Sequence, residues 1–251
     1  MEQRLPNIIK GMKVTNTMIK IMTMLILRVL LAILMLFIVS CKGHSSKNEK
    51  MEHEPIACVI AIDGTRSYKY IDKAKQTTAR IVQNLPGNSK VYVRWITKDS
   101  LSDKCSVVTA LFPNTSKPHN PFDVKAKQRY HTALIKFQQT SKQATKAIID
   151  SQSPRAGQTD IYGALYASSV RFSGNTDMKR VLILLTDMDD NVGNKDKLNI
   201  NLENVTVKIM DFQAGPEDDK RKEQWLAYLT SRGAASVQFL PIDEPLNMEG
   251  I

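Results

Sequence analysis

Three polar side chains stand together where a buried strand is predicted to end. Residues 56–62 form an unbroken apolar run rich in β-branched side chains, which is typical of a strand buried on both faces. Asp63, Thr65 and Ser67 follow at alternate positions, so a carboxylate and two hydroxyls share the turn after this strand. Ligands bind beyond the carboxyl ends of strands in open α/β sheets. The spacing therefore favours a ligand site, and the alternative is that Asp63 and Ser67 merely cap the next helix.

Two later polar residues occupy comparable places. Thr159 opens a helical segment rich in small residues, which let a helix lie close against a sheet. Asp187 follows a fully apolar strand predicted at residues 181–185. Because the carboxyl ends of parallel strands meet at one edge of a sheet, we expect Thr159 and Asp187 to converge there with the residues that follow the first strand.

The elements that must position these residues alternate between strand and helix patterns. Only ten residues separate the second and third strands, too few for a helical crossover, so these two should pair as an antiparallel hairpin. The pattern predicts an α/β fold with a doubly wound, mostly parallel sheet, one antiparallel edge strand and helices on both faces. After the first strand, the predicted elements are a helix at 71–85, strands at 91–96 and 107–112, a long helix around 130–148, a helix from 159, and strand, strand, helix and strand at 181–185, 205–212, 217–231 and 236–240.

The three polar segments, in this order, resemble the von Willebrand factor type A domain and its metal-ion-dependent adhesion site. The family motif is Asp-x-Ser-x-Ser, then a Thr, then an Asp, on a doubly wound sheet with one antiparallel edge strand. Here the matching residues are Asp63-x-Thr65-x-Ser67, Thr159 and Asp187, and the resemblance covers roughly residues 56–243. The chain is therefore expected to have the fold of that family.

The resemblance also implies a metal site. It places the hydroxyls of Thr65, Ser67 and Thr159 directly on a divalent cation, while Asp63 and Asp187 hold it largely through water. Oxygen ligands in octahedral geometry suit Mg²⁺ or Mn²⁺. Because the direct ligands are neutral, the cation stays electrophilic, and a carboxylate from a protein partner can take its open position.

The chain departs from the family pattern at two positions. Thr65 replaces the usual first Ser, which keeps the hydroxyl and adds a methyl group. Met188 follows Asp187 where family members usually carry Gly, and we expect its side chain to lie on the rim of the ligand face with Asp189 and Asp190. A bulky residue there could crowd the face or impose a different loop, so a retained fold with a silent metal site is the alternative.

Two other motifs fail on inspection. Residues 62–65 are similar to part of the Asp-x-Asp-Gly-Thr motif of haloacid-dehalogenase-like phosphatases, but the nucleophilic Asp would fall at Ala61. Residues 187–191 begin like an EF-hand loop, but Val192 and Leu198 stand at its sixth and twelfth positions. No Ser-His-Asp or Cys-His set is discernible, so we expect a non-enzymatic binding protein.

The N-terminus has the pattern of a targeting segment. Three lysines precede an apolar stretch that is continuous over residues 29–39, the length of a secretory signal and short of the roughly 20 residues that span a bilayer. It ends in Ile38-Val39-Ser40-Cys41, which is similar to a bacterial lipobox, where the Cys carries lipid. Residues 1–40 are thus predicted to be a lipoprotein signal peptide, with an uncleaved anchor as the alternative.

The predicted organisation after the signal is a polar tether, a domain and a tail. The tether covers residues 41–55, the domain 56–243 and the tail 244–251. Lipid on Cys41 would attach the protein to a membrane of the bacterial cell envelope, outside the cytoplasm. In this topology Cys58 and Cys105 are too far apart to form a disulfide.

Charge and partner class complete these expectations. The formal charge is +10, and the first 40 residues hold five basic residues and one acidic residue, which leaves +6 for the remainder. The basic residues are scattered along the sequence, so nucleic-acid binding is not expected. We expect a protein partner, and the competing class is a structural or assembly component that uses its helix faces without metal.

Overall fold

The computed structural model describes residues 54–193, 197–212 and 218–246. The chain divides after Met51 into two compact units, and all described residues belong to the second, Glu52–Ile251. The predicted signal peptide and the predicted lipidation site, Cys41, lie outside the described residues, as does nearly all of the predicted tether. Within the described ranges, no helix combines the length and apolar character that crossing a membrane requires.

The strands form one six-stranded sheet. They are β1 (Ile56–Asp63), β2 (Lys90–Ile96), β3 (Ser106–Leu111), β4 (Lys179–Leu185), β5 (Val205–Met210) and β6 (Ser236–Leu240). Their order across the sheet is β3-β2-β1-β4-β5-β6. Among these strands β3 alone runs antiparallel, against β2, and all other neighbours are parallel. The predicted hairpin and the predicted mixed sheet are confirmed.

Helices cover both faces of this sheet. They are α1 (Ile71–Gln83), α2 (Val124–Asp150), α3 (Ile161–Ser173) and α4 (Asp218–Ser231), and a short 3₁₀ turn spans Asp103–Cys105. One hydrophobic core joins the sheet to α1 and α2. A second core joins the opposite face to α3 and α4. Because both cores lie within the second unit, residues 52–251 form a folding unit that can be produced without the N-terminal segment.

The central strand β1 explains why its sequence is apolar throughout. Successive side chains of a strand point to opposite faces. Ile60 and Ile62 lie in the first core and Val59 and Ala61 lie in the second, so neither face of β1 reaches water. Asp63, the last residue of β1, is only 1% exposed. The strand therefore ends in a carboxylate that is buried away from water at the carboxyl edge of the sheet.

Helix α2 packs through its second half only. Its fully buried side chains are Ala144 and Ile148, and Phe137 packs against Phe112 at 5.1 Å between ring centroids. Ala147, directly before Ile148, is exposed. The reason is length: 27 residues of helix extend about 40 Å, whereas strands of six or seven residues extend about 20 Å. A sequence pattern shows an inward stripe but not where the sheet beneath it ends.

Met188 does not lie on the rim of the ligand face, and that expectation is wrong. Its side chain is 0% exposed and belongs to the second core. Its φ of 61° is left-handed, which turns the chain sharply after β4. The indole Nε1 of Trp225 donates a hydrogen bond of 2.9 Å to the Met188 carbonyl and fixes this turn. Glycine adopts such a φ without strain, whereas a side chain such as that of Met makes it costly.

The two cysteines of the domain are both buried and unpaired. Cys58 lies in β1 beside Val91 of β2, whereas Cys105 immediately precedes β3 on the far side of β2. The prediction that they do not form a disulfide is confirmed. Burial raises the pKa of the Cys58 thiol to about 12, so the reactive thiolate is scarce at neutral pH.

Substitution of Met188 separates burial from backbone strain. Met188→Ala should destabilise residues 52–251 by about 2–5 kcal/mol through the cavity it leaves. Met188→Gly leaves a similar cavity and relieves the left-handed strain, so it should be about 1 kcal/mol more stable than Met188→Ala. Met210, buried in a strand, is the matched control, and there Gly should be less stable than Ala. Urea denaturation measures both pairs, and the same order at both positions would contradict the strain assignment.

Alkylation tests the placement of the cysteines. In residues 52–251, neither thiol should react with iodoacetamide while the domain is folded, because both side chains are buried. In denaturant without reductant, intact mass should show two adducts per chain. A mass that lacks both adducts would reveal a disulfide and contradict the strand order.

Candidate metal centre

Asp63 is the centre of the candidate site. Its Oδ1 accepts hydrogen bonds from the backbone N–H and the hydroxyl of Thr65, at 2.9 and 2.7 Å. Its Oδ2 accepts a bond of 2.8 Å from the hydroxyl of Thr186, which directly follows β4. Three donors from two strand ends therefore converge on one buried carboxylate.

The electrostatics of Asp63 show two opposing effects. Burial raises the pKa of its carboxyl group, and the negative charge of Asp187 raises it further. The hydrogen bonds from Thr65 and Thr186 act in the opposite direction, and the net shift is upward. An ionised Asp63 is thus costly in the folded protein, and a cation placed near it would offset that cost.

Thr65 and Ser67 adopt the arrangement expected of neighbouring ligands. Their hydroxyl oxygens lie 3.2 Å apart, with Thr65 buried and Ser67 exposed to solvent. Helix α1 begins only at Ile71, and its N-cap residue, Tyr70, makes no side-chain capping bond. The alternative that Asp63 and Ser67 merely cap this helix is therefore wrong. Their polar groups are directed to one another at the sheet edge.

The loop that carries Thr159 is tied to the loop after β1. Ala156 exchanges backbone hydrogen bonds of 3.0 Å with Gly64 and Arg66, which brackets Thr65 between the two loops. Thr159 itself is 3% exposed, and its backbone N–H and carbonyl both bond Asn191, at 2.8 and 3.1 Å. Thr159 is thereby held between the β1 loop and the loop after β4.

Helix α3 begins later than predicted. Asp160, not Thr159, is its N-cap residue, and Asp160 Oδ1 accepts a bond of 2.9 Å from the N–H of Gly163. A Cβ atom at position 163 would lie 2.1 Å from the Asp160 carboxylate. The small residue at 163 thus makes room for the capping carboxylate, while Ala164 packs in the second core. Thr159 is left outside the helix, in the loop.

The three acidic residues after β4 have different roles. Asp187 is half-buried and accepts a bond of 3.1 Å from the N–H of Asp189, which is exposed. Asp190 is not a free rim residue, because its two oxygens accept bonds from Ile161 at 2.7 Å and Gly193 at 2.9 Å. The rim expectation thus fits the exposure of Asp189, while Asp190 holds the start of α3 against the loop.

Three polar residues beside the site were not predicted from the sequence. Thr186 binds Asp63, and the only signal for it was a hydroxyl directly before Asp187. Asp211 follows β5 with a left-handed φ of 76°, and burial raises the pKa of its carboxyl group, as does the charge of Asp187. Tyr68 is 3% exposed and faces Asp211, and burial raises the pKa of its phenol. No motif connects these residues.

The residues present fit a hard divalent cation. Thr65 donates its hydroxyl proton to Asp63, so the Ser67 hydroxyl is the donor in the 3.2 Å contact and one Thr65 lone pair stays available. The exposed Ser67 leaves the site accessible from solvent. Across the described ranges, no three Asp, Glu, His or Cys side chains converge into a metal cluster. A cation here would therefore rely on hydroxyl oxygens with two carboxylates nearby, which is a donor set for Mg²⁺ or Mn²⁺ and not for softer metals.

The chain matches no protein-family model and no curated protein sequence. Among solved structures, a von Willebrand factor type A protein from Catenulispora acidiphila is 17% identical, with 74% of this chain and 38% of that chain covered and a TM-score of 0.46. An aerotolerance-related membrane protein from Bacteroides fragilis is 12% identical over 75% of this chain and 92% of that chain, with a TM-score of 0.39. The manganese-loaded TRAP protein of Plasmodium vivax is 15% identical over 63% of this chain and 57% of that chain, with a TM-score of 0.31.

This chain spans less than half the length of the Catenulispora protein. The fold class follows from the sheet itself. Parallel strands wind outward from β1 in both directions, one edge strand is antiparallel, and helices cover both faces. The chain has a doubly wound α/β fold of the von Willebrand factor type A kind.

Proposed function

We propose that this domain is a non-enzymatic binding module that recognises a protein partner through a divalent cation. The observation that carries the proposal is the hydrogen-bonded group formed by Asp63, Thr65 and Ser67, with Asp187 beside it, at the carboxyl edge of a parallel sheet. Three of these side chains have no role as helix caps. The shared hydrogen bonds of Asp63, Thr65 and Ser67, and the exposure of Ser67 to solvent, support a cation-binding role for these oxygens.

Some of the residues would bind the cation directly, and others would balance its charge or orient the ligands. Thr65, Ser67 and Thr159 would offer hydroxyl oxygens, and Asp63 and Asp187 would supply the balancing negative charge. When bound, Mg²⁺ or Mn²⁺ acts as a Lewis acid that attracts a further oxygen ligand. Thr186 keeps the Asp63 carboxylate oriented through its bond of 2.8 Å. An acidic side chain of the partner is the ligand that such a site would accept.

The cellular setting is the second part of the proposal. The lipobox-like residues 38–41 support a lipid-anchored protein of the bacterial cell envelope, with the domain outside the cytoplasm. The partner would then be a protein of the envelope or of the cell exterior, and no nucleic acid is expected. An assembly component that uses the same fold with a silent metal site is the outcome if metal has no effect.

Metal should stabilise the folded domain. At one hundred times its Kd, a ligand that binds only the native state adds about 2.7 kcal/mol, or roughly 5–10 °C of Tm for a domain of this size. Ser67→Ala should remove most of the rise caused by MgCl₂ or MnCl₂ and leave the Tm in EDTA nearly unchanged, because Ser67 is exposed. Differential scanning calorimetry of residues 52–251 gives both values.

Two further variants sharpen this measurement. Thr159→Ala should also lose the metal response, whereas Ser106→Ala, an exposed serine in the edge strand β3, should keep it in full. A wild-type Tm that is the same in metal and in EDTA would contradict the metal centre. An equal rise in wild type, Ser67→Ala and Thr159→Ala would show that the cation binds elsewhere.

Lipid attachment is tested separately, in the full-length chain. Cys41→Ser should abolish labelling by a fatty-acid probe and should leave either a released protein or an uncleaved precursor. Cys105→Ser is the matched control and should keep the label, since Cys105 is buried inside the domain. Equal labelling of wild type and Cys41→Ser would contradict the lipoprotein assignment and would not affect the proposal of a metal centre.

A further inference from the structure

Residues 124–146 of α2 account for the net charge of the chain beyond the predicted signal peptide, and Asp150 at the end of the helix pairs with Lys146. Residues 41–251 contain 30 basic and 24 acidic residues. Residues 124–146 of α2 contain six of those basic residues and no acidic residue, so the rest of the chain after residue 40 is balanced at 24 of each. The six are Lys125, Lys127, Arg129, Lys136, Lys142 and Lys146.

The side chains of this basic surface do not pack in the hydrophobic core. All six cations are exposed, and the two fully buried residues of α2, Ala144 and Ile148, lie near its C-terminal end. The helix begins with its own cap, because Asp123 accepts a bond of 2.9 Å from the N–H of Ala126. The N-terminal half of α2 is thus a formed helix that contributes little to holding the fold together.

Three of the cations line a groove. Lys125, Arg129 and Lys136 stand along one side of α2, and Pro113 and Asn114 of the preceding loop lie on the other side of an opening of about 650 Å³. Every residue that lines this groove in the described structure is neutral or basic. Positive charge lining a concave surface, with no carboxylate to balance it, attracts anionic groups.

Apolar side chains stand exposed beside these cations. At the start of α2, Phe122 is 88% exposed and Val124 is 76% exposed. Ile135, about three helical turns after Val124, is 57% exposed. A nucleic acid would use the cations and could stack a base on Phe122, but the aliphatic Val124 and Ile135 offer bases no stacking surface. A membrane interface accepts both, since apolar side chains enter the acyl boundary while Lys and Arg meet anionic head groups.

We propose that the N-terminal half of α2, with Phe122 and Val124, binds the surface of an anionic lipid membrane. Binding through this surface requires neither lipid on Cys41 nor a metal ion. It rests on the proposed function in one respect: a lipid anchor would keep the domain near a membrane. Phosphate groups of the lipids would occupy the groove lined by Lys125, Arg129 and Lys136. Such contact would fix how the domain is oriented on the membrane that anchors it.

Vesicle sedimentation with residues 52–251 tests this directly, because that unit lacks Cys41. The domain should sediment with vesicles of phosphatidylglycerol and phosphatidylcholine in equal parts and should stay in solution with pure phosphatidylcholine. High salt should release it. Failure of lipid labelling at Cys41 or of the metal response would leave this result unaffected, so the proposals fail independently.

Variants identify the surface. A cation near an anionic membrane contributes about fivefold to binding, so K125Q/R129Q/K136Q should weaken it about 100-fold. The matched control K98Q/K104Q/K220Q removes three exposed lysines from other elements and should bind nearly as wild type does. Phe122→Ser should weaken binding several-fold without altering the fold, since the side chain is exposed.

A depth probe distinguishes insertion from simple adhesion. The two native Trp residues are 4% and 6% exposed, so brominated lipids should not quench them. Phe122→Trp should add fluorescence that brominated lipids do quench. Equal binding to neutral vesicles, equal loss in both triple variants, or absence of quenching at position 122 would overturn the proposal. So would binding to an oligonucleotide or an acidic peptide with no vesicle binding.

Discussion

A buried carboxylate at the end of the central strand is the constraint on which this edge of the sheet depends. Asp63 is cut off from water, and an ionised group in that position is tolerated only when protein donors replace the water it has lost. The replacements come from Thr65, two residues on, and from Thr186 across the neighbouring strand. The same contacts that satisfy Asp63 therefore join the loop after β1 to the end of β4. The hydrogen bonds that set the geometry of the candidate centre are thus also the ones that stabilise this edge of the sheet.

Much of this arrangement could be predicted from local sequence. An apolar run without alternation identified β1 as a strand covered on both faces, and the ten-residue separation identified the β2–β3 hairpin. Polar residues at the ends of apolar strands pointed to the correct edge of the sheet. These features could be predicted because each depends on a short stretch of chain together with general rules of sheet topology.

The remainder depends on partners that are distant in sequence. Asp190 reads as a surface acid, but it bonds the N–H of Ile161, 29 residues earlier. Met188 follows two polar residues and ends in a core because its backbone is left-handed and Trp225 holds its carbonyl. The basic residues of α2 are spread over about six turns of the helix. They form a surface only because the sheet beneath the helix is about half its length.

The bond between Trp225 and Met188 gives the protein its own optical reporter. The indole lies 2.9 Å from a carbonyl that directly follows Asp187, so any shift of that loop changes the polarity around the ring and with it the emission wavelength. The other tryptophan, Trp95, lies in the core on the opposite face of the sheet and pairs with Ile62, directly before Asp63. Events at the carboxyl edge on either face of the sheet can thus be followed through the intrinsic fluorescence of the unlabelled protein.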